Sequence, residues 1–209
     1  MRSCLLIALL LPDLSWAQST VYVGGVVGVS TLSADARSII GSGEASISLY
    51  KPENGPAANA FAGTHLNDFL SLQLNYVWNR NRIATTSVTA GSVLKLDEQR
   101  HDSTQHSVIV DVLLYFRNRT SWARPYLSTG VGVVDYRSRA LSGAAQKFSS
   151  QRPGLRVAVG IDLQLHRSWG LRYTFSETLR QNPISERLSP PGGRNLANFQ
   201  NLAGIVTWF

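Results

Sequence analysis

Apolar and polar residues alternate with a period of two along most of the chain. The clearest run is Leu155, Val157, Val159, Ile161, Leu163 and Leu165, set against Arg156, Ala158, Gly160, Asp162 and Gln164. A period of two is the signature of a strand with unlike faces. Leu70, Leu72, Leu74, Tyr76 and Trp78 oppose Ser71, Gln73, Asn75 and Val77 in the same way. Val108, Val110, Val112, Leu114 and Phe116 face away from Asp111. Trp169, Leu171, Tyr173 and Phe175 oppose Gly170, Arg172 and Thr174. Eight such segments are predicted, over residues 20–30, 57–66, 69–80, 105–117, 123–137, 153–165, 169–178 and 198–209. The first, second and fifth are rich in glycine, and alternation does not assign their faces.

The intervals between segments alternate long and short. Residues 31–56, 81–104, 138–152 and 179–197 are long; Asn67-Asp68, the stretch between 117 and 123, and His166 to Ser168 are short. Transmembrane barrels of the bacterial outer membrane have short periplasmic turns and longer outer loops, and strands of about 9–11 residues. A soluble barrel would turn its apolar face inward, and periodicity alone does not separate the two arrangements. Charge does. The less apolar faces carry Asp111, Arg156, Asp162 and Arg172 in mid-strand. Unpaired, these would be costly in a dry core or toward lipid. An inside-out barrel places them in its lumen, two acids and two bases forming a balanced network.

Aromatic residues support the same arrangement. Trp122, Trp169, Trp208, Phe69, Phe116 and Phe209 map to the short-turn rim, and Trp78, Tyr76, Tyr136 and Phe175 to the long-loop rim. Two aromatic girdles mark the two membrane interfaces. The terminal Phe209 then closes the last strand at the periplasmic interface and is a candidate assembly signal for the barrel assembly machinery. The expectation is an all-β, eight-stranded, antiparallel up-and-down transmembrane barrel, monomeric, with the last strand paired to the first.

The N-terminus adds a destination. Arg2 precedes an apolar stretch too short to span a bilayer, and Ser15 and Ala17 stand in small-x-small positions. This reads as a secretory signal peptide over residues 1–17, with the barrel domain over 18–209. The only cysteine, Cys4, lies inside the leader, so the mature chain has no thiol.

With these features in place, the chain resembles the small eight-stranded outer-membrane barrel superfamily that includes the OmpA transmembrane domain and the OmpX and OmpW relatives. The stretch AANAFAGTHLNDFLSLQLNYVWNRN and the segment Arg124 to Arg137 carry the resemblance most directly. It implies a bacterial outer-membrane protein and leaves three roles open. One is a non-enzymatic surface or envelope-integrity role through the outer loops. The second is a narrow pore for small or hydrophobic solutes, as in the OmpW group. The third is a lipid A-modifying enzyme.

The formal charge of +7 comes mainly from arginine, since only Lys51, Lys95 and Lys147 are lysines among 20 basic residues. Guanidinium forks match phosphate and carboxylate oxygens. Arg80, Arg82, Arg137 and Arg139, with Arg152 and Arg180, map just beyond the outer aromatic girdle, where lipopolysaccharide phosphates would lie. Outer-membrane lipid and lipopolysaccharide are therefore the expected partners. The arginines do not interleave with an aromatic platform, so no nucleic acid is expected.

Catalytic candidates are few. His166 and Ser168, with Glu177 later, are loosely similar to the His-x-Ser pair of the outer-membrane lipid A deacylases. The residue after Ser168 is Trp169 rather than Asn, and the pair maps to a periplasmic turn, away from lipid A. A polar turn is the better reading. His65, His101 and His106 lack metal-ligand spacing. No catalytic residue, cofactor or metal is expected.

Overall fold

In the computed structural model the described residues are 21–40, 45–90, 94–141, 147–184, 186 and 195–209. The segment read as a signal peptide lies outside them. Eight strands form a closed ring in the order β1 (Val21–Leu32), β4 (Gly55–His65), β5 (Leu70–Ala90), β6 (Leu94–Tyr115), β7 (Ala123–Ala140), β8 (Phe148–Gln164), β9 (Trp169–Gln181) and β10 (Asn195–Trp208). Every pairing in the ring is antiparallel, and β10 closes on β1 from Tyr22↔Trp208 to Leu32↔Asn198. A last rung follows, in which the Phe209 N–H donates to the Val21 carbonyl at 2.9 Å. The ring leaves no open edge at membrane depth, as a lipid environment requires.

Two further strands, β2 (Asp35–Ile40) and β3 (Ala45–Pro52), form a hairpin inside the first long connection. β3 pairs with the upper part of β5, from Pro52↔Ile83 to Ala45↔Ala90. The long connections therefore contain strand that alternation did not mark. β5 and β6 continue past the expected ends at 80 and 105 and pair as far as Ala90↔Leu94. The physical reason is that Thr85, Thr86 and Val88 favour extended backbone, while their surroundings no longer demand an apolar outer face.

The short turns are held by side-chain caps. Asn67 Oδ1 accepts from the N–H groups of Phe69 and Leu70, both at 2.8 Å. Asn118 Oδ1 accepts from the hydroxyls of Thr120 and Ser121, both at 2.9 Å.

Val27, Leu74, Val110, Val131, Val159, Leu171 and Ile205 face outward and are exposed. The lumen face is the opposite parity of every strand. Among the glycine-rich segments, Tyr22, Val26 and Ser30 of β1, Ala57, Asn59 and Phe61 of β4, and Tyr126, Ser128 and Val134 of β7 point inward. Two girdle assignments are corrected by this parity. Tyr136 is inward and buried, and Trp208 packs against the lumen cluster of Tyr22, Phe61, Leu202 and Val206. Each shares its strand face with the buried residues two positions away, so neither ring reaches the lipid. Phe69, Phe116, Trp122, Trp169 and Phe209 remain exposed at the short-turn end, and Tyr76 and Phe175 toward the other.

Candidate functional site

The lumen holds a stacked polar and aromatic interior. Asp111, Arg156, Asp162 and Arg172 all point into it and are each at most 2% exposed. They form two separate pairs. Arg172 grips Asp162 with both ends of its fork, Nε to Oδ1 at 2.6 Å and Nη2 to Oδ2 at 2.7 Å. Register sets Asp162 between two arginines, Arg124 on β7 and Arg172 on β9, and it is Arg172 that bonds it, while Arg156 stands six residues away. Arg172 also donates to Gln73 Oε1 at 2.6 Å and to the Tyr115 hydroxyl at 3.0 Å. The Tyr115 hydroxyl in turn donates to Asp162 Oδ2 at 2.9 Å. The aromatic faces of Phe61 and Tyr126 lie 4.4 and 5.1 Å from the guanidinium carbon.

Arg156 pairs with Asp111 instead. These two stand on β8 and β6, with Gly130 of β7 between them in the same cross-strand row. A Cβ at Gly130 would lie 2.0 Å from Asp111 Oδ1, so the missing side chain leaves the passage for the ion pair. The same device recurs lower in the barrel. Tyr126 crosses Gly160 to meet Thr174 Oγ1 at 2.5 Å, and Tyr22 crosses Gly63 to donate to Gln73 Oε1 at 3.1 Å. Higher up, Ser30, Asn79, Asn81 and Asn198 are joined by side-chain hydrogen bonds of 2.8–3.2 Å. At the long-loop end Leu32, Tyr50, Ile83, Tyr136, Ile184 and Leu196 form an apolar cluster across the mouth.

The outer rim carries the second candidate region. A cleft of about 610 Å³ lies on the outer wall, where Trp78, Arg80, Asp102, Arg137, Arg139 and Lys147 are among its lining residues. Arg80 Nε bonds Asp102 Oδ1 and Oδ2 at 2.9 and 3.0 Å. These bonds hold the Asp102 carboxyl below its ordinary value of 3.8. Arg137 pairs with Asp135 at 2.7 Å. Arg82 and Arg139 flank Asp102 as its register partners on β5 and β7. Asp102 and Asp135 are thus shared among more cations than they can neutralise. Arg180, placed at the rim on sequence grounds, turns inward instead. It is 4% exposed and stacks over Tyr136 with its guanidinium carbon 4.7 Å from the ring centre. Its parity on β9 is that of Arg172, Thr174 and Thr178, which fixes the direction.

The histidine–serine candidate is a turn bonded to itself. His166 Nδ1 and Ser168 Oγ are 3.2 Å apart and exposed between β8 and β9. Glu177 lies well up β9, opposite Phe199 and Val157. Strand periodicity sends it away from that turn, and the three residues do not converge. Among the described residues, no three His, Cys, Asp or Glu side chains gather into a group that could hold a metal ion.

Comparison with known proteins gives a consistent fold. The model of a family described as outer membrane protein beta-barrel domain matches residues 3–202. Outer membrane protein OprG of Pseudomonas aeruginosa superposes with a TM-score of 0.59 at 12% identity, covering 91% of this chain and 95% of that one. Neisserial surface protein A has a TM-score of 0.57 at 17% identity, covering 90% and 97%. Ail, the attachment invasion locus protein of Yersinia pestis, solved with the heparin analogue sucrose octasulfate, has a TM-score of 0.50 at 12% identity, covering 91% and 97%. No curated protein sequence matches the chain.

Proposed function

Since the chain belongs to the outer membrane protein beta-barrel domain family, we propose that it is a non-enzymatic, non-conducting barrel that serves the bacterial surface or envelope through its outer hairpins. The observation that carries this reading is the filled lumen. Arg156, Arg172, Tyr22, Tyr50, Tyr115 and Tyr136 are each less than 2% exposed inside the ring. Side chains of this size suit an eight-stranded interior, which is just wide enough for side chains to fill, and this supports a barrel that does not conduct. The outer hairpins instead extend beyond the apolar wall and present a basic rim. Arg80, Arg82, Arg137 and Arg139 there hold phosphate groups of anionic lipid, lipopolysaccharide being the outer-leaflet example, because charge-assisted forks onto phosphate are stronger than neutral contacts.

Two measurements test the reading. In planar bilayers the refolded chain should show no steady conductance, and regular current steps would favour the narrow-pore alternative. Replacing Arg80, Arg82, Arg137 and Arg139 together by Gln should lower co-purified lipopolysaccharide, and wild-type retention should weaken with salt. Equal retention by both proteins across a salt series would remove the lipid-holding role. Lipid A of unchanged mass in cells with and without the protein is the outcome expected of a non-enzyme.

A further inference from the structure

The opposite end of the barrel holds a site unrelated to the outer rim. A cavity of about 340 Å³ opens at the short-turn mouth, lined in part by His65, Asp68, Arg119, Arg124, Arg167 and Trp208, with Asp162 at its inner limit. Its volume falls in the range of small-ligand sites. Its charges are unevenly satisfied. Asp162 is occupied by Arg172 and Tyr115, and the Asp68 carboxylate accepts from Arg119 Nε at 3.1 Å. Arg124 is only 4% exposed, yet it forms no ion pair among the described residues. Its Nη2 donates to the Asp68 backbone carbonyl at 3.0 Å and its Nη1 faces His65 Nε2 at 3.4 Å. Its guanidinium carbon lies 3.9 Å from the centre of the Tyr115 ring. Nε has no hydrogen-bond partner among the described residues. Arg167 is exposed in the turn at the lip and likewise forms no ion pair among them.

A nearly buried guanidinium is costly when the carboxylate across from it is already committed, and Asp162, the register partner of Arg124 on β8, is bonded by Arg172 and Tyr115. Here Arg124 lines an open cup with a second guanidinium at the entrance and an indole on the wall. We infer that the short-turn mouth binds an oxyanion, a carboxylate or phosphate group, that enters from the periplasmic side and is held between Arg124 and Arg167. Trp208 packs against whatever apolar stem carries the anion. His65 fits this role: Arg124 Nη1 can only donate, so His65 Nε2 faces it as the acceptor at 3.4 Å, Nδ1–H donates to Ser71 Oγ at 2.5 Å, and the ring in that form adds no competing positive charge.

The test uses the full chain refolded in detergent micelles and three probes. These are sodium phosphate, N-acetyl-dialanine with a free carboxylate, and the same dipeptide as its C-terminal amide. Binding is read from tryptophan fluorescence, and heat-modifiable migration confirms that each variant is folded. Saturable binding of phosphate or of the free acid is expected, with the amide at least about tenfold weaker. Arg167→Gln and Arg124→Lys, the latter keeping the charge but losing the fork, should each weaken binding by a similar factor. Trp208→Phe should remove most of the fluorescence change. Tighter binding of the free acid identifies a peptide carboxylate as the source, and binding of phosphate alone identifies a free ion. The inference is overturned if neither anion binds saturably, if the amide binds as tightly as an acid that does bind, or if folded Arg167→Gln binds as wild type does. Arg167 is exposed in a turn, so that variant decides the matter even if Arg124→Lys fails to fold.

Discussion

Removing Asp162 should harm the barrel in a way that depends on which arginine is removed with it. Breaking one half of a buried ion pair costs about 3–5 kcal/mol, because the remaining charge stays buried. Asp162→Asn should fall near the lower bound. Arg172 would keep Gln73 Oε1 at 2.6 Å, the Tyr115 hydroxyl at 3.0 Å and the Phe61 ring at 4.4 Å. Arg172→Gln should likewise fall near the lower bound, since Asp162 then keeps the Tyr115 hydroxyl and has Arg124, its cross-strand neighbour on β7, as the remaining cation. The double variant removes both charges and should be less destabilised than the sum by about 2–3 kcal/mol, the upper part of the range for contacting pairs. Arg156 provides the control. It lies six residues from Asp162 on the same strand, about 20 Å at the rise of a β-strand, and its partner is Asp111. Asp162→Asn with Arg156→Gln should therefore add to within about 0.5 kcal/mol. Urea unfolding of protein refolded into lipid vesicles, followed by tryptophan fluorescence and by gel mobility, measures each corner of the cycle. Additivity for Asp162 with Arg172, or equal coupling of Asp162 to both arginines, would refute the assignment of two separate pairs.

Gly130→Ala should destabilise by at least the 1–3 kcal/mol typical of overpacking, because its Cβ would meet Asp111 Oδ1 at 2.0 Å and the Val110 carbonyl at 2.4 Å; unchanged urea stability would count against the crossing ion pair. Asp102 has a folded value below 3.8, so the Arg80 pair contributes above that pH and is lost as pH falls through the lower folded value. The stability difference between wild type and Asp102→Asn should therefore be small at neutral pH, as for any exposed pair, and vanish in strong acid; a difference independent of pH would exclude the pair. Deleting Phe209 should lower the amount of heat-modifiable barrel in the membrane at normal synthesis, since it removes both the terminal ring and the last rung to Val21. An unchanged folded fraction would leave Phe209 without an assembly role.

What could be read from the chain follows from what lipid demands. A wall facing hydrocarbon must be apolar at every second residue, so Leu155 to Leu165 and Leu70 to Trp78 declare their outer faces, and by parity their lumen faces. The inward direction of Asp111, Arg156, Asp162 and Arg172 follows from the same rule. Their pairing does not, because it depends on register between strands, and register appears only when Asp162 is set beside Arg172 and Asp111 is set across Gly130 from Arg156. Alternation also fails where the wall leaves the membrane. Beyond Arg80 and Asp102 the strands run on in water, and either face can be polar. The aromatic residues misled for a related reason. A ring at a strand end suits both an interface and a lumen, so Trp208 and Tyr136 had to be placed by counting from buried neighbours rather than by their chemistry. The glycine-rich strands are the most instructive case. Gly63 and Gly130 have no side chain to show a face, yet each marks a lumen position, as Gly160 does on the clearly alternating β8, because Tyr22, Asp111 and Tyr126 lie across them. At Gly63, Gly130 and Gly160 the glycine is thus a statement about the neighbouring strand, because a long side chain from one neighbour passes over it toward the other. Gly28 and Gly132, also in glycine-rich strands, face backbone instead, so the crossing is read from the partner and not from the glycine alone.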